Sequence, residues 1–310
     1  MYLLSGSQAY HLMQHVSESM AGRIAIVNLA GLNSREVQGL PSPGLFIPSR
    51  EHLQQRGRNS VSNDAVWSFI FQGQYPRLHT DNANRDAWYA AYTATYIERD
   101  VRQLLNIIDT ESFMKFLSSI AARSGELLNY ASVSKDIGVS ANTVKNWLNI
   151  LQASGVVYLL PAWSGNHLKR ALKTPKVYFL DTGLLAWLTR WPSADTIKMG
   201  AKAGQFFETY VISEIVKSAF NVGITRPELY FYRDKDQREI DLIIQDGRTL
   251  YPVEIKMSAT PSLSMAKHFE LMPQIAAADH LDIGTSTILC QCPQLIHLDR
   301  DTLAVPVQYL

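Results

Sequence analysis

The stretch of residues 239–256, EIDLIIQDGRTLYPVEIK, constrains the fold most, because it carries charged residues inside two apolar, strand-like runs. The alternation of apolar and polar residues in EIDLII and in LYPVEIK predicts two β-strands. Asp246 and Gly247 form the turn signal between them, since Asp-Gly is a common two-residue hairpin connection. The sequence therefore predicts a hairpin against which other elements must pack.

Charged side chains of this hairpin are predicted to converge. Side chains repeat every second residue on a strand, so Asp241 shares a face with Ile243, and Glu254 shares a face with Lys256. If the two faces coincide, two carboxylates and one ammonium group meet beside an apolar sheet. Such a cluster is costly unless a divalent cation or a phosphate compensates its charge, so the pattern indicates a metal site.

An aspartate, about a dozen residues and then Glu-Ile-Lys resembles the signature of the PD-(D/E)XK nuclease superfamily. The resemblance implies that Asp241 and Glu254 hold Mg²⁺ or Mn²⁺ and that Lys256 helps to position the attacking water, which makes these three the candidate catalytic residues. A solvated hairpin face would show the same pattern. Both interpretations stay open for this stretch alone.

Composition excludes several classes of protein. The 310 residues are 46% hydrophobic and 18% charged, which is typical of a globular protein with two or three domains. A net charge of +1 means that nucleic-acid binding would need local basic patches. Cys290 and Cys292 are too few and too close for a disulfide framework or a four-thiolate zinc site. We expect a cytoplasmic protein without a membrane partner, because no apolar run reaches the roughly 18 residues that span a bilayer.

Residues 1–38 read as a strand, a helix and a second strand. The phrases LLSGSQ and VSESMAGRIAIVNLAGLNSREV resemble the late part of the AAA+-type ATPase core in a prokaryotic family. Members of that family carry a C-terminal domain of unknown function with a PD-(D/E)XK-like end. The resemblance implies that Ser7 and Gln8 stand at a nucleotide-sensor position and that Arg23 is a phosphate-side arginine.

The phosphate-binding G-x-x-x-x-G-K-[ST] loop of that family is missing from this sequence. A sensor without a P-loop has no nucleotide to sense, so ATP binding and ATP hydrolysis are not expected of this chain alone. We expect the chain to be the C-terminal portion of that architecture, either truncated or half of a split ATPase. Its first strands would then pair with a separate P-loop-containing chain or with another copy of this one.

Residues 39–112 are predicted to form a linker and a helical lid. Pro, Gly, Ser and Arg are frequent in residues 39–60, which favours an irregular linker. The following phrases AVWSFIF and DAWYAAYTATYIERDVRQLL place apolar residues at three-to-four-residue spacing, which predicts helices.

Residues 113–175 show the order helix, helix, tight turn at Gly138, longer helix and strand, which indicates a winged helix-turn-helix. Ser140 suits the N-cap of the longer helix, and the predicted buried stripe is Val144, Trp147, Leu148 and Leu151. Recognition helices contact bases with residues near their start, so the DNA-contact candidates are Asn142, Thr143, Lys145 and Asn146. A winged helix used only as a spacer or protein-binding module remains the alternative.

A basic stretch without acids follows the predicted wing. It contains His167, Lys169, Arg170, Lys173 and Lys176. In a chain of near-zero net charge it is the best local candidate for contacts with phosphates, with Lys169 and Arg170 as its centre. A solvated loop is the competing interpretation.

Residues 176–310 are predicted to form a restriction-endonuclease-like α/β sandwich, because the order is helix, three strands, helix, strand. Asp181 is the natural N-cap of the helix that follows VYFL. In the nuclease superfamily a glutamate on the first helix completes the acidic set, and by resemblance that residue is Glu208 in GQFFETYVISE. Glu214 is its rival on the other side of the same helix.

Together these patterns predict an α/β multidomain protein with a partial P-loop ATPase core, a helical lid, a winged helix-turn-helix and a nuclease-like sandwich. The first functional hypothesis is a DNA nuclease in which Glu208, Asp241 and Glu254 hold Mg²⁺ or Mn²⁺. The expected partner is duplex DNA. The alternatives are a non-catalytic DNA-binding or regulatory module of an ATPase, and an inactive gene remnant.

Overall fold

The computed structural model describes residues 29–81, 83–95, 110–164 and 173–310. Several predicted site residues lie outside this part of the chain and stay predictions. They are the sensor residues Ser7, Gln8 and Arg23 and the basic residues Lys169 and Arg170. Within the described ranges, no helix is both long and apolar enough to cross a membrane.

The described helices before residue 96 are short. They are α1 (Ser34–Val37), α2 (Arg50–Arg56), α3 (Asn63–Gln72), α4 (Arg77–Thr80) and α5 (Arg85–Tyr92). Helix α2 lies inside the stretch that was expected to be an irregular linker. Ser49 caps its start by accepting a hydrogen bond from the His52 N–H, and Leu53 and Arg56 bury one side of it.

Three helices and a small sheet form the next unit: α6 (Thr110–Ala122), α7 (Tyr130–Ile137), α8 (Ala141–Ala153), β1 (Val157–Leu160) and β2 (Lys176–Phe179). Helix α7 ends at Gly138, whose φ of +75° is left-handed and suits glycine. Ser140 caps α8 by accepting a hydrogen bond from the Thr143 N–H, as predicted. The predicted stripe of Val144, Trp147, Leu148 and Leu151 is buried.

Strands β1 and β2 pair in antiparallel fashion, with Leu160 opposite Lys176. The domain boundary predicted at residue 176 therefore lies between two paired strands. Beyond β1 the chain continues along the larger sheet, because the Trp163 N–H donates to the Phe231 carbonyl at 2.6 Å and the Phe231 N–H donates to the Pro161 carbonyl at 3.0 Å. The small sheet is thus joined to the large one by backbone hydrogen bonds.

The C-terminal half is a mixed α/β unit. Its helices are α9 (Thr182–Leu188), α10 (Ala194–Met199), α11 (Ala203–Phe220), a 3-10 helix (Leu263–Leu271) and α12 (Met272–Ala277). Its strands are β3 (Leu229–Arg233), β4 (Glu239–Asp246), β5 (Thr249–Lys256), β6 (Asp282–Ile283), β7 (Ser286–Cys290), β8 (Ile296–His297) and β9 (Thr302–Pro306). Six strands follow the order β3-β4-β5-β7-β9-β8, and β6 pairs with the start of β5.

This sheet is antiparallel from β3 to β5 and parallel from β5 to β9. The predicted order helix, three strands, helix, strand is present. Helix α11 packs against β5 of this sheet and against β2 of the small sheet, and the 3-10 helix contacts β4, β5 and β7. The cysteines that were expected to serve packing, Cys290 and Cys292, are both free and fully buried.

Helix α11 is buried nearly all round, including two charged residues. Glu214 accepts hydrogen bonds from the Ser34 N–H at 2.7 Å and from the Gln74 side chain at 2.5 Å. Lys217 donates to the Gln74 side chain and to the Leu32 carbonyl. The segment around α1 and Gln74 therefore cover this polar side of α11 and supply the hydrogen-bond partners that its buried charged groups need.

Asp181 is confirmed as the N-cap of α9 and does more than cap it. Its carboxylate is buried and accepts from the Leu184 N–H at 2.6 Å, the Gln74 N–H at 2.6 Å and the Tyr89 hydroxyl at 2.7 Å. One side chain thus connects α9, the end of α3 and α5. Gly73 lies against it, where a Cβ would meet the Tyr89 hydroxyl.

We expect Asp181→Ala to lower the free energy of unfolding by about 2–4 kcal/mol, because three buried donors lose their acceptor at once. Urea unfolding of the full chain measures this. Ser193→Ala is the matched control, because the Ser193 side chain caps α10 by accepting a single backbone N–H, that of Thr196. It should cost about 1 kcal/mol. Equal losses in the two variants would show that Asp181 is only a cap.

Candidate active site

The central hairpin forms as predicted, with a shift of one residue in its turn. Asp246 pairs with Thr249, so the connecting residues are Gly247 and Arg248. Gly247 has a φ of +57°, which a residue without Cβ adopts at little cost. The Asp-Gly signal thus identified the hairpin correctly, while the aspartate itself belongs to β4.

The predicted convergence of charges on this hairpin is present. The Lys256 ammonium nitrogen lies 2.6 Å from Glu254 Oε1 and 3.7 Å from Asp241 Oδ2. Val253 and Ile255 belong to the main hydrophobic core, so the alternating Glu254 and Lys256 point to the opposite face of β5. Two carboxylates and one ammonium group therefore share a face of the sheet.

Asp241 sits at an irregularity of the sheet. The register between β3 and β4 shifts between the pairs Tyr230–Ile243 and Tyr232–Ile240, which brackets Asp241. Bulges of this kind redirect side chains and interrupt pairing. The Ile255 N–H donates to Asp241 Oδ2 at 2.8 Å. In a regular β-ladder this N–H would donate to a backbone carbonyl, so the Asp241 carboxylate replaces that acceptor.

Glu208, from helix α11, belongs to a second charged group beside the hairpin. Its Oε1 accepts from the Tyr178 hydroxyl at 2.5 Å and from the Lys176 ammonium at 3.1 Å. Lys176 also lies 2.6 Å from Glu239 Oε1. We call the combined set the acid cluster: Lys176, Tyr178, Glu208, Glu239, Asp241, Glu254 and Lys256.

The two glutamates of α11 differ in position. Glu208 shares the Lys176 ammonium with Glu239 of β4, whereas Glu214 is buried against Gln74 and the backbone of Ser34. Spacing along the helix could not decide this, because both residues lie on plausible sides of α11. The resemblance that pointed to Glu208 selected the residue that lies beside the hairpin.

Three members of the acid cluster were missed by sequence reasoning. Lys176 was assigned to a basic stretch for phosphate contacts, but its side chain is only 5% exposed and is ion-paired with Glu208 and Glu239. It is therefore not available to an external phosphate. Tyr178 follows two residues later on the same strand face, a period-2 relation that could have suggested a shared environment. Glu239 stands two residues before Asp241 and gave no separate signal.

Burial shifts the acid–base properties of the cluster. Burial first, and then the neighbouring Asp241 charge, raise the pKa of Glu254 to about 7, against the opposing effect of Lys256. Burial also raises the pKa of Glu208, although Lys176 lowers it. For Lys176, burial lowers the pKa, but the carboxylates of Glu208 and Glu239 outweigh that effect and raise it above its ordinary value. Like charges held this close favour proton or cation uptake.

The donor chemistry of the cluster fits a hard divalent cation. Its candidate ligands are carboxylate oxygens of Glu208, Asp241 and Glu254, which Mg²⁺ and Mn²⁺ prefer. Glu254 Oε2 is buried and has no hydrogen-bond partner among the described residues. The described residues contain no set of three or more acidic, histidine or cysteine side chains already gathered for a metal ion. A cation site at these residues therefore stays a prediction, and Lys256 lies between two of the candidate ligands, Asp241 and Glu254.

The predicted DNA-contact residues lie on another unit. Asn142, Lys145 and Asn146 are exposed on α8, whereas Thr143 is partly buried. The Thr143 hydroxyl lies 2.8 Å from the Ser140 hydroxyl at the helix cap, so this side chain has a structural role. The structure does not bring these residues into the acid cluster.

Two families of unknown function match the chain. Residues 63–195 match the domain of unknown function DUF8612, and residues 203–310 match the domain of unknown function DUF4143. The uncharacterized proteins Rv2008c of Mycobacterium tuberculosis and Mb2031c of Mycobacterium bovis are each 28% identical over 274 residues. That alignment covers 87% of this chain and 55% of each relative, so the chain spans about half the length of these curated relatives. No solved structure matches it.

The acid cluster crosses the border between the two matched families. Lys176 and Tyr178 lie in the first matched range, and the remaining members lie in the second. A chain with only the second range would lack the ammonium group that holds Glu208 and Glu239. The two ranges therefore contribute to one site.

We expect the stability of the protein to report the protonation of Glu254. Its pKa rises from 4.5 to about 7 in the folded state, so the folded chain holds a proton that the unfolded chain releases in this window. The resulting stabilisation is full below pH 4.5 and is lost as the pH rises through about 7. The glutamine of Glu254→Gln cannot ionise. Between pH 5 and pH 8.5 the free energy of unfolding of this variant should therefore fall by about 1–3 kcal/mol less than that of the parent.

Urea unfolding at both pH values measures this difference. Glu51→Gln, a change at an exposed carboxylate of α2, is the matched control and should follow the parent. If Glu254→Gln loses as much stability as the parent over the same pH interval, the carboxylate is not held in an environment that favours its protonated form.

Proposed function

We propose that this chain is a metal-dependent nuclease that acts on DNA, with the acid cluster as its active site. The observation that carries the proposal is the convergence of Asp241, Glu254 and Lys256 on one face of the hairpin, with Glu208 beside them. A solvated hairpin face, the competing interpretation of the sequence, does not account for a carboxylate as buried as Glu254.

Each residue has a distinct role in this proposal. Glu208, Asp241 and Glu254 would hold Mg²⁺ or Mn²⁺, which when bound supplies Lewis-acid polarisation of a scissile phosphate. Lys256 is 39% exposed at the end of β5, so its ammonium can turn from the carboxylates toward a substrate. There it orients the attacking water and offsets the negative charge that develops on the phosphate. Asp241 is held in place by the Ile255 N–H.

The helix α8 supplies DNA binding in this proposal. A short turn at Gly138 separates α7 from α8, and Ser140 caps α8, whose first exposed polar residues are Asn142, Lys145 and Asn146. This arrangement, followed by β1 and β2, supports the winged helix-turn-helix interpretation. Lys169 and Arg170 would add phosphate contacts.

The resemblance to the PD-(D/E)XK superfamily supports the same function, since α11, β3, β4, β5, a helical segment and, after the two-residue β6, β7 occur in the order that it requires. The resemblance to an AAA+-type ATPase family extends over essentially the whole chain, and its strongest phrases are FLDTGLLAWL, GQFFETYVISE, REIDLII and YPVEIK. ATP hydrolysis is not part of the proposal, because the chain lacks a phosphate-binding loop.

A second candidate function is a non-catalytic regulatory or DNA-binding module. The observation that favours it is the internal ion pairing of the acid cluster: Lys256 pairs with Asp241 and Glu254, and Lys176 pairs with Glu208 and Glu239. Such a network can hold a fold together without a cation. The two candidates differ in their response to metal ions.

We expect Mn²⁺ or Mg²⁺ to raise the melting temperature of the parent chain and to support cleavage of duplex DNA. Asp241→Asn and Glu254→Gln should abolish both effects. The asparagine keeps an oxygen for the Ile255 N–H, so the loss cannot be ascribed to that hydrogen bond. Lys256→Met should keep the metal-induced rise, because it removes no ligand, while cleavage falls by about two orders of magnitude or more.

Thermal melts with and without the ion, and cleavage of a labelled duplex, give the two readouts. Asp195→Asn, at an exposed position of α10, is the control and should behave as the parent. If the parent chain binds DNA, but neither ion raises its melting temperature or supports cleavage, the nuclease proposal is contradicted and the regulatory module is supported.

A further inference from the structure

The exposed face of α8 has an unusual composition. The helix buries Val144, Trp147, Leu148 and Leu151 and leaves the opposite side open. The exposed long side chains at spacings of three and four residues are Asn142, Lys145, Asn146, Asn149 and Gln152. They form one stripe along the helix, because residues three, four and seven apart lie on the same side. Four of the five end in a carboxamide.

This stripe carries no negative charge. No aspartate or glutamate occurs between Asp136 and Asp181, although the chain has 28 acidic residues. The neighbouring helices show the ordinary pattern of a solvated face: Glu111 pairs with Lys115 on α6, and Asp136 of α7 pairs with Arg123. The exposed face of α8, which carries Lys145 and no carboxylate, is instead compatible with a polyanion.

The stripe does not suit a protein partner. Cores of protein interfaces are enriched in aromatic residues, methionine and arginine. On the exposed side of α8 the only apolar residues are the small Ala141 and Ala153. Charge and composition therefore favour nucleic acid over protein as the occupant of this face.

The carboxamide side chains also indicate which base this face of α8 would recognise. An Asn or Gln side chain offers one acceptor and two donors, which matches the N6 donor and N7 acceptor of adenine in the major groove. Readout of cytosine needs a carboxylate, and the stripe has none; readout of guanine needs Arg or Lys, and only Lys145 is present. The stripe from Asn142 to Gln152 is about 15 Å long at 1.5 Å per residue, enough to follow several base pairs.

We propose that α8 enters the major groove of duplex DNA and reads adenine through Asn142, Asn146, Asn149 and Gln152, so that this chain prefers A·T-containing sites. This inference rests on the DNA-binding part of the proposed function and extends it to base specificity. Asn149 and Gln152 become specificity-determining residues beyond the first turn of the helix. Lys145, in this assignment, contacts a phosphate and contributes affinity without specificity.

The test uses the full chain in EDTA and three duplexes of equal length, followed by fluorescence anisotropy. One duplex is A·T-rich, the second is G·C-rich, and the third is the A·T-rich duplex with 7-deazaadenine, which lacks only the N7 acceptor. We expect the parent to bind the A·T-rich duplex about 10-fold or more tightly than the other two. Asn146→Ala and Asn149→Ala should each reduce that preference about 5-fold or more.

Salt dependence separates base contacts from phosphate contacts. The two asparagine variants should leave the slope of log affinity against log salt unchanged, whereas Lys145→Ala should weaken all three duplexes alike and lower that slope by about one. Gln54→Ala, at an exposed carboxamide of α2, is the matched control and should behave as the parent. All of these positions are exposed, and circular dichroism checks that each variant folds.

Each other outcome overturns the inference in a recognisable way. Equal affinity for the A·T-rich and G·C-rich duplexes would leave DNA binding intact and remove the adenine preference. An A·T preference that ignores 7-deazaadenine would assign specificity to DNA shape instead of α8. No binding to any duplex would contradict the DNA-binding part of the proposed function as well, while the metal response of the acid cluster would still be judged by its own melts.

Discussion

Lys176 is the charge on which the candidate active site depends. Its ammonium group lies between Glu208 of α11 and Glu239 of β4, while its own backbone belongs to the small sheet. A buried charge is costly unless it is paired, and removing one partner of such a group leaves the other uncompensated. The acid cluster therefore requires three separate elements to meet, and the two sheets are held together at this point as well as by the backbone bonds between Trp163 and Phe231.

The same rule of compensation explains the other side of α11. Glu214 and Lys217 are buried among the apolar residues of that helix, and their hydrogen-bond partners are Gln74 and the backbone of Leu32 and Ser34. Helix α11 thus has polar residues in two places. Glu214 and Lys217 are satisfied by Gln74 and the segment near α1, and Glu208 is paired with Lys176 in the acid cluster. Of these two places, the acid cluster contains a carboxylate oxygen, Oε2 of Glu254, that has no partner among the described residues.

Sequence patterns predicted those parts of the structure in which neighbours along the chain determine the outcome. The hairpin, the cap at Ser140 and the stripe at Trp147 follow from short-range periodicity and capping chemistry. Lys176 could not be predicted in this way, because a lysine in a basic stretch gives no sign that distant carboxylates will draw it inward. The difference between Glu208 and Glu214 likewise depends on which elements lie opposite α11, and short-range spacing does not contain that information.

The two lysines of the acid cluster differ in their freedom to move, and in the proposed metal site this difference would decide which carboxylates are available to a cation. Lys256 stands at the end of β5 with 39% of its side chain exposed, so it can turn into solvent and away from Asp241 and Glu254. Lys176 is 5% exposed and is paired with two carboxylates at once, so it has no comparable place to go. In the proposed metal site, Asp241 and Glu254 of the hairpin would therefore be the more accessible ligands, and Glu208 would be limited by its bond to Lys176. Because Lys176 belongs to β2, the proposed acidic set would depend on the position of the small sheet.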